Sequence, residues 1–154
     1  MHFVNAKGIL SASNGMNLYR GCTHGCIYCD SRSKCYQMNH AFEDIEVKEN
    51  ALELLEKALR SKKKRCMIGT GAMTDPYLPL EEKLRLTRGA LELIERHGFG
   101  VAIQTKSDRI LRDLDMYKNR SMENALTDLL PRSMIPVVLK RLGVDPELQA
   151  NSFS

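Results

Sequence analysis

Apolar side chains recur at helical spacing in two stretches of the first hundred residues. The first stretch, residues 50–60, places leucines along one face and charged residues along the other. The second runs through residues 84–94 and stops near His97 and Gly98. A basic ring there suits the C-terminal helix dipole, and glycine suits a left-handed cap. The pattern predicts two amphipathic helices.

Short apolar runs lie before and after the second helix. Residues 66–68 form one run, which residues 69–71 stop, so we predict a buried strand that opens into a loop. Residues 100–104 form a second apolar run and predict a second buried strand, followed by residues 105–107. Alternation of strand and helix predicts an α/β fold with a parallel sheet, whose ligands lie beyond the carboxyl ends of the strands.

The two ends of the chain do not follow this alternation. Residues 1–19 are rich in glycine, serine and asparagine, and they predict an irregular lead-in. Ser107 is placed to cap a short helix that runs to Leu114. Farther on, residues 121–130 and 135–143 predict two helices with no strand between them. We therefore expect a helical C-terminal segment over residues 119–154.

Composition narrows the class of protein. The 154 residues correspond to about one domain, and 43% apolar with 27% charged residues excludes wholesale disorder and low complexity. No apolar stretch approaches the roughly 20 residues that span a bilayer, and no export signal is visible, so we expect a cytoplasmic protein. The net charge of +4 arises in residues 61–119, chiefly from the basic run 62–65, interpreted as a solvated helix end.

Five cysteines carry the most specific chemistry. Cys22, Cys26 and Cys29 have C-x3-C-x2-C spacing on one short segment, whereas Cys35 is interpreted as an unligated thiol and Cys66 as a core residue. An odd, clustered set without an export signal favours metal chemistry over disulfides. Three thiolates on one loop can bind three irons of a 4Fe-4S cluster and leave the fourth iron open for a ligand.

Zinc is the alternative for the same thiols. Structural zinc takes four sulfur or nitrogen ligands, and the fourth would be Cys35, His24 or His40. Structural zinc motifs usually contain two separated pairs of ligands, each pair close together in sequence. Only Cys26 and Cys29 form a C-x2-C pair here. Spacing therefore favours a cluster, with a non-catalytic zinc or iron-sulfur module as the second hypothesis.

The motif R-G-C-T-H-G-C-I-Y-C (residues 20–29) resembles that of radical S-adenosylmethionine (SAM) proteins, and we call residues 20–30 the cysteine loop. Residues 17–26, 74–81 and 105–107 together resemble the branch related to spore photoproduct lyase, also described as DNA repair photolyase-like. The resemblance covers residues 1–118 and implies an α/β, partial TIM-like barrel of parallel strand-helix units, with the cluster loop after the first strand.

The resemblance implies a chemistry as well as a fold. Cys22, Cys26 and Cys29 would bind a 4Fe-4S cluster, and SAM would bind the open iron. Reductive cleavage would yield methionine and a 5'-deoxyadenosyl radical that abstracts hydrogen from a substrate, as in a lyase of this branch. A flavodoxin or ferredoxin would supply the electron. A nucleic acid substrate follows from analogy with the branch alone.

Six further residues match cofactor-binding positions of the family. The resemblance places the aromatic residue beside the adenine, the glycine-containing strand end near the methionine amino group, and the last two residues near the carboxylate or ribose. The aromatic residue is Tyr28, and the last two residues are Lys106 and Ser107. The strand end consists of Gly69, Thr70 and Gly71. The alternative roles are ordinary packing for the tyrosine and a plain turn for the glycine segment. For Lys106 the alternative is a surface position, and for Ser107 it is a helix cap.

Several features depart from the family pattern. Asp30 stands where many relatives have tyrosine, and residues 1–118 predict only the first two or three strand-helix units. Residues from about 120 resemble the helical insert of BaiN-like FAD-binding flavoproteins, although no G-x-G-x-x-G fingerprint occurs. We therefore expect a truncated or fused reading frame, with weak or absent turnover.

Overall fold

The computed structural model describes residues 1–117, which form six strands and three α-helices. The strands are β1 (His2–Val4), β2 (Gly15–Met16), β3 (Tyr19–Arg20), β4 (Glu46–Lys48), β5 (Met67–Thr70) and β6 (Gly100–Ile103). The helices are α1 (Ala51–Ser61), α2 (Glu81–Leu84) and α3 (Leu86–Arg96), with 3₁₀ segments at Asp30–Arg32, Lys34–Tyr36 and Asp108–Tyr117. The predicted helical segment 119–154 lies outside the described residues.

Strands β2, β5 and β6 form a parallel sheet in that order. Helices α2 and α3 connect β5 to β6, while α1 precedes β5 and packs against α3. The predicted parallel sheet with helical crossovers is therefore confirmed for this part of the chain. The carboxyl ends of β5 and β6 lie side by side, since Thr70 pairs with Ile103 in the register of the two strands.

A second sheet has the order β1, β4, β3 and uses strands of two or three residues. Strand β1 pairs parallel with β4, and β3 pairs antiparallel with the other edge of β4. The predicted irregular lead-in was therefore wrong, because residues 1–19 contain part or all of three strands. Strands this short show no alternation of their own and form only through partners distant in sequence.

The boundaries of two predicted elements also differ. Strand β5 begins at Met67 and includes Gly69 and Thr70, which the sequence pattern had placed in a loop. Neighbouring strands on both sides hold these two residues in the sheet. The second predicted helix is divided at Arg85, whose left-handed backbone (φ +49°) separates α2 from α3.

The core lies between α1, α3 and the sheets. Ala51, Leu55 and Leu59 line the buried face of α1, and Leu91 and Ile94 are among the buried residues of α3. Both predicted amphipathic helices are confirmed. No helix within residues 1–117 has the length and apolar composition needed to cross a membrane.

The end of α3 and the basic run 62–65 are linked. The helix ends at His97 and Gly98, with φ of +71° at the glycine, as predicted. Arg65 Nε donates to the carbonyl oxygen of His97 at 3.3 Å, and Lys62 Nζ bonds Asn14 Oδ1. Two of the four cations therefore make internal contacts, and the other two are exposed as a solvated helix end.

Candidate iron-sulfur and cofactor site

The cysteine loop follows β3 directly and reverses its direction at two glycines. Gly21 and Gly25 have φ of +93° and +67°, conformations that residues with a side chain rarely adopt. A side chain at Gly21 would also overlap the carbonyl oxygen of Phe42, which accepts the Cys22 N–H at 3.0 Å. Both glycines therefore give the loop backbone conformations that other residues rarely adopt.

The three thiols of the loop are free and differ in exposure. Cys22 is buried, whereas Cys26 and Cys29 are half-buried. Burial raises the pKa of the Cys22 thiol, partly offset by the backbone N–H of His24, which donates to its sulfur at 3.5 Å. A buried thiol becomes a thiolate most readily when it binds a cation, and a metal ion provides that charge.

Asp75 connects the cysteine loop to the ends of the parallel strands. This buried carboxylate accepts the Tyr77 N–H at 2.8 Å, the Thr105 hydroxyl at 2.6 Å and the Lys106 N–H at 2.7 Å. Its Oδ2 also lies 3.4 Å from His24 Nε2, within ion-pair distance although the geometry is not that of a hydrogen bond. One side chain therefore contacts all three segments that carry the family-like motifs.

The carboxyl ends of β5 and β6 are in close backbone contact. We call residues 70–75 and 104–107 the strand-end edge. The Gln104 N–H donates to the Thr70 carbonyl at 2.9 Å, and Gly71, with φ of +100°, leaves no room for a side chain against the Gln104 carbonyl oxygen. Gly71 is therefore required by the close approach of the two strand ends.

Two of the predicted cofactor residues meet each other although 78 positions separate them. Lys106 Nζ donates to the Tyr28 hydroxyl, and the same ammonium lies 4.2 Å from the centre of the tyrosine ring. The hydrogen bond to Tyr28 raises the pKa of Lys106. Both side chains are exposed, with 73% of Tyr28 accessible to solvent. A tyrosine face and an ammonium group are thus presented together beside the cysteine loop.

The remaining predicted cofactor residues have more local surroundings. Ser107 is buried, and its hydroxyl accepts the Arg109 N–H at 3.3 Å, so it caps the following 3₁₀ segment. Thr70 is buried at the end of β5, while the Cβ position of Gly69 faces open space. These contacts fit the cap alternative for Ser107, and its predicted role toward a cofactor stays a prediction.

The sequence pattern did not predict a buried pair formed by Tyr19 and Glu81. The Tyr19 hydroxyl donates to Glu81 Oε1, which also accepts the Thr87 N–H at 3.0 Å. Burial raises the pKa of both side chains, and for the tyrosine the nearby carboxylate adds to the effect. Both residues lie in family-like segments, but no local signal indicates that they pair across 62 positions.

The spacing of possible ligand atoms bears on the choice between a cluster and a single zinc ion. Within residues 1–117, the one group of three or more His, Cys, Asp or Glu ligand atoms lying within 4.8 Å of one another contains no cysteine. Ligands of one zinc ion must lie closer than thiolates that each bind a different iron. Of the proposed fourth zinc ligands, His24 faces Asp75, His40 belongs to that other group, and Cys35 is exposed beside Ser33.

Comparisons with curated proteins give relatives of unknown activity. An uncharacterized protein of Methanocaldococcus jannaschii is 34% identical over 127 residues, which cover 80% of this chain and 47% of that protein. Uncharacterized proteins of Mycobacterium bovis and Mycobacterium tuberculosis are 30% identical over 112 residues, or 66% of this chain and 32% of theirs. The chain thus spans about half or less of the length of these relatives. No solved structure matches.

The family comparison covers the whole of the site. Residues 16–130 match the Radical SAM superfamily, a range that includes the cysteine loop, the strand-end edge and the Tyr19–Glu81 pair. The match extends past the predicted domain boundary at residue 118, which stays a prediction. From the matched range and the three-cysteine loop at its start, we conclude that the chain belongs to the Radical SAM superfamily.

Proposed function

We propose that this chain binds a 4Fe-4S cluster through Cys22, Cys26 and Cys29 and cleaves SAM reductively beside it. The observation that carries the proposal is the cysteine loop itself, whose three free thiols lie next to a histidine that faces Asp75 at the strand-end edge. In α/β folds that edge is where ligands bind. Superfamily membership supports the same pair of cofactors.

The chain's own residues would position the cofactors. When bound, the cluster and SAM supply one-electron cleavage to a 5'-deoxyadenosyl radical. Asp75 holds the backbone of Lys106 in place, and the Lys106 ammonium offers a charge-assisted donor to a carboxylate. The exposed face of Tyr28 offers an aromatic surface for a purine ring.

The finer parts of the proposal concern branch and partners. The family-like segments 17–26, 74–81 and 105–107 support a lyase of the spore photoproduct lyase branch, with flavodoxin or ferredoxin as electron donor. The different origin proposed for residues from about 120 is tested by inspecting the encoding DNA for a join near residue 119. Substrate and activity of the whole protein belong to this proposal as well.

Cluster binding is tested by anaerobic reconstitution of the full chain. We expect about four irons and four sulfides per chain, as a cubane cluster requires. Cys26→Ala should abolish the visible absorbance of the cluster, and Cys66→Ala, a half-buried thiol outside the loop, is the matched control that should keep it. One bound zinc without sulfide would instead support the non-catalytic zinc module.

Turnover is a separate measurement on the same preparation. Reduction in the presence of SAM should yield 5'-deoxyadenosine if the chain is an enzyme. A full cluster without any 5'-deoxyadenosine would indicate a non-catalytic iron-sulfur module. A salt-sensitive gel shift with DNA tests the nucleic acid analogy.

A further inference from the structure

A second group of ligating side chains, which contains no cysteine, lies at the sheet formed by β1, β4 and β3. His2 belongs to β1, while His40 and Asp44 lie on the segment that leads into β4. One ligand atom from each of the three lies within 4.8 Å of the other two, and all three side chains are half-buried. Two imidazoles and a carboxylate form a donor set that transition-metal sites use repeatedly.

The hydrogen bond of His40 defines its tautomer. Its Nδ1 lies 3.0 Å from the carbonyl oxygen of Ala41, which can only accept, so Nδ1 carries a proton. In the neutral ring, Nε2 then presents a lone pair. That atom is buried without a hydrogen-bond partner and lies 3.5 Å from Glu46 Oε2. A lone pair and a carboxylate oxygen facing each other call for a cation, either a proton on the ring or a metal ion.

His2 and Asp44 complete the group through defined contacts. His2 Nδ1 lies 3.0 Å from Asp44 Oδ2, and the rings of His2 and His40 meet edge to face with centres 4.8 Å apart. The other oxygen of Asp44, Oδ1, lies 2.6 Å from the Met1 amino group. The register of β1 and β4 places His2 directly opposite Glu46, so strand pairing brings the two together.

We propose that His2, His40 and Asp44 bind one divalent ion of the borderline class that includes zinc and cobalt(II), with Glu46 as an adjacent carboxylate. Imidazole and carboxylate ligands suit such ions. Metal–ligand bonds of about 2.0–2.2 Å require the three ligand atoms to move inward by about 1 Å. No cysteine takes part, so the proposal is independent of the proposed function.

Cobalt(II) titration of the untagged full chain carrying Cys22→Ala, Cys26→Ala and Cys29→Ala tests the site. Nitrogen and oxygen ligands give cobalt d–d bands alone, whereas a thiolate adds an intense near-ultraviolet charge-transfer band. We expect one ion per chain with the nitrogen–oxygen spectrum. The same spectrum should disappear on competition with zinc. Absence of d–d bands, or a thiolate band in their place, would overturn the proposal.

Ligand variants identify the site. His40→Ala and Asp44→Asn should each weaken cobalt binding at least about tenfold, as loss of a ligand or its support does in metal sites. His97→Ala is the matched control, because His97 Nε2 is also buried without a hydrogen-bond partner but lies beside Glu56 on another surface. If circular dichroism shows that His40→Ala does not fold, His2→Ala takes its place as the ligand variant. Equal affinity in parent and His2→Ala would refute the site.

Discussion

The strand-end edge and the tip of the cysteine loop both contribute predicted cofactor residues, yet they are held very differently. The edge is fixed by a backbone contact at Gly71 and by Asp75, which accepts three hydrogen bonds while buried. At the tip, Ile27 is fully exposed and Tyr28 is 73% exposed. Internal hydrogen bonds therefore hold the edge, whereas the two side chains at the tip are largely exposed.

The largest effect should come from breaking the edge at Gly71. Gly71→Ala places a side chain against the Gln104 carbonyl at a φ of +100°, and we expect it to lower the free energy of unfolding by about 3–5 kcal/mol. Gly69→Ala, two residues earlier with open space around its Cβ position, should stay within about 1 kcal/mol of the parent. Urea denaturation measures both, and equal losses would show that the edge is not fixed by close approach.

Asp75→Asn should have the next largest effect. An amide group cannot accept every hydrogen bond of the carboxylate, and an unsatisfied Lys106 N–H or Thr105 hydroxyl costs about 1–3 kcal/mol. Because His24 also faces Asp75, we expect reconstituted clusters to lose iron several-fold faster in air. Asp108→Asn, at an exposed position of the next segment, is the control. An unchanged rate of iron loss in Asp75→Asn would show that the strand-end edge does not affect the stability of the cluster.

The buried Tyr19–Glu81 pair predicts a pH dependence of stability. Burial raises the pKa of Glu81, so the folded chain holds this proton more tightly than the unfolded chain does. Its contribution to stability is complete below the unfolded value of 4.5 and is lost as the pH rises through the folded value.

Urea denaturation between pH 4 and pH 8 measures this effect as the difference between the parent and Glu81→Gln. We expect the parent to lose unfolding free energy relative to the variant as the pH rises, while the cluster content of both stays equal. A difference that does not change with pH would show that the carboxylate titrates normally.

The smallest effect on stability should appear at the tip. Tyr28→Ala should change the free energy of unfolding by less than about 0.5 kcal/mol, because the side chain is largely exposed. Its affinity for SAM should nevertheless fall about fivefold, which corresponds to about 1 kcal/mol for one aromatic contact. Equilibrium dialysis measures the affinity, with the neighbouring exposed Ile27→Ala as control. Equal affinities in the two variants would remove Tyr28 from the cofactor site.

Much of the parallel sheet was predictable, and most of the second sheet was not. The apolar stripes of α1 and α3 and the apolar runs of β5 and β6 are local patterns, and the structure confirms the four elements. The predicted burial of the second strand was wrong, because no residue of β6 is buried. Strands β1 and β3 are two or three residues long, and each pairs with β4 more than two dozen positions away. Such strands exist only through their partners, so no window of sequence shows them.

The sequence by itself determined the cysteine spacing, the glycines that fold the loop and the segments that approach the site. Those properties depend on residue type and on neighbours a few positions away. Only the tertiary structure decided that Asp75 would contact the Lys106 backbone, that Glu81 would receive the Tyr19 hydroxyl, and that His2 would meet His40. A buried polar group takes whichever donor the packing brings to it, and that donor can lie anywhere in the chain.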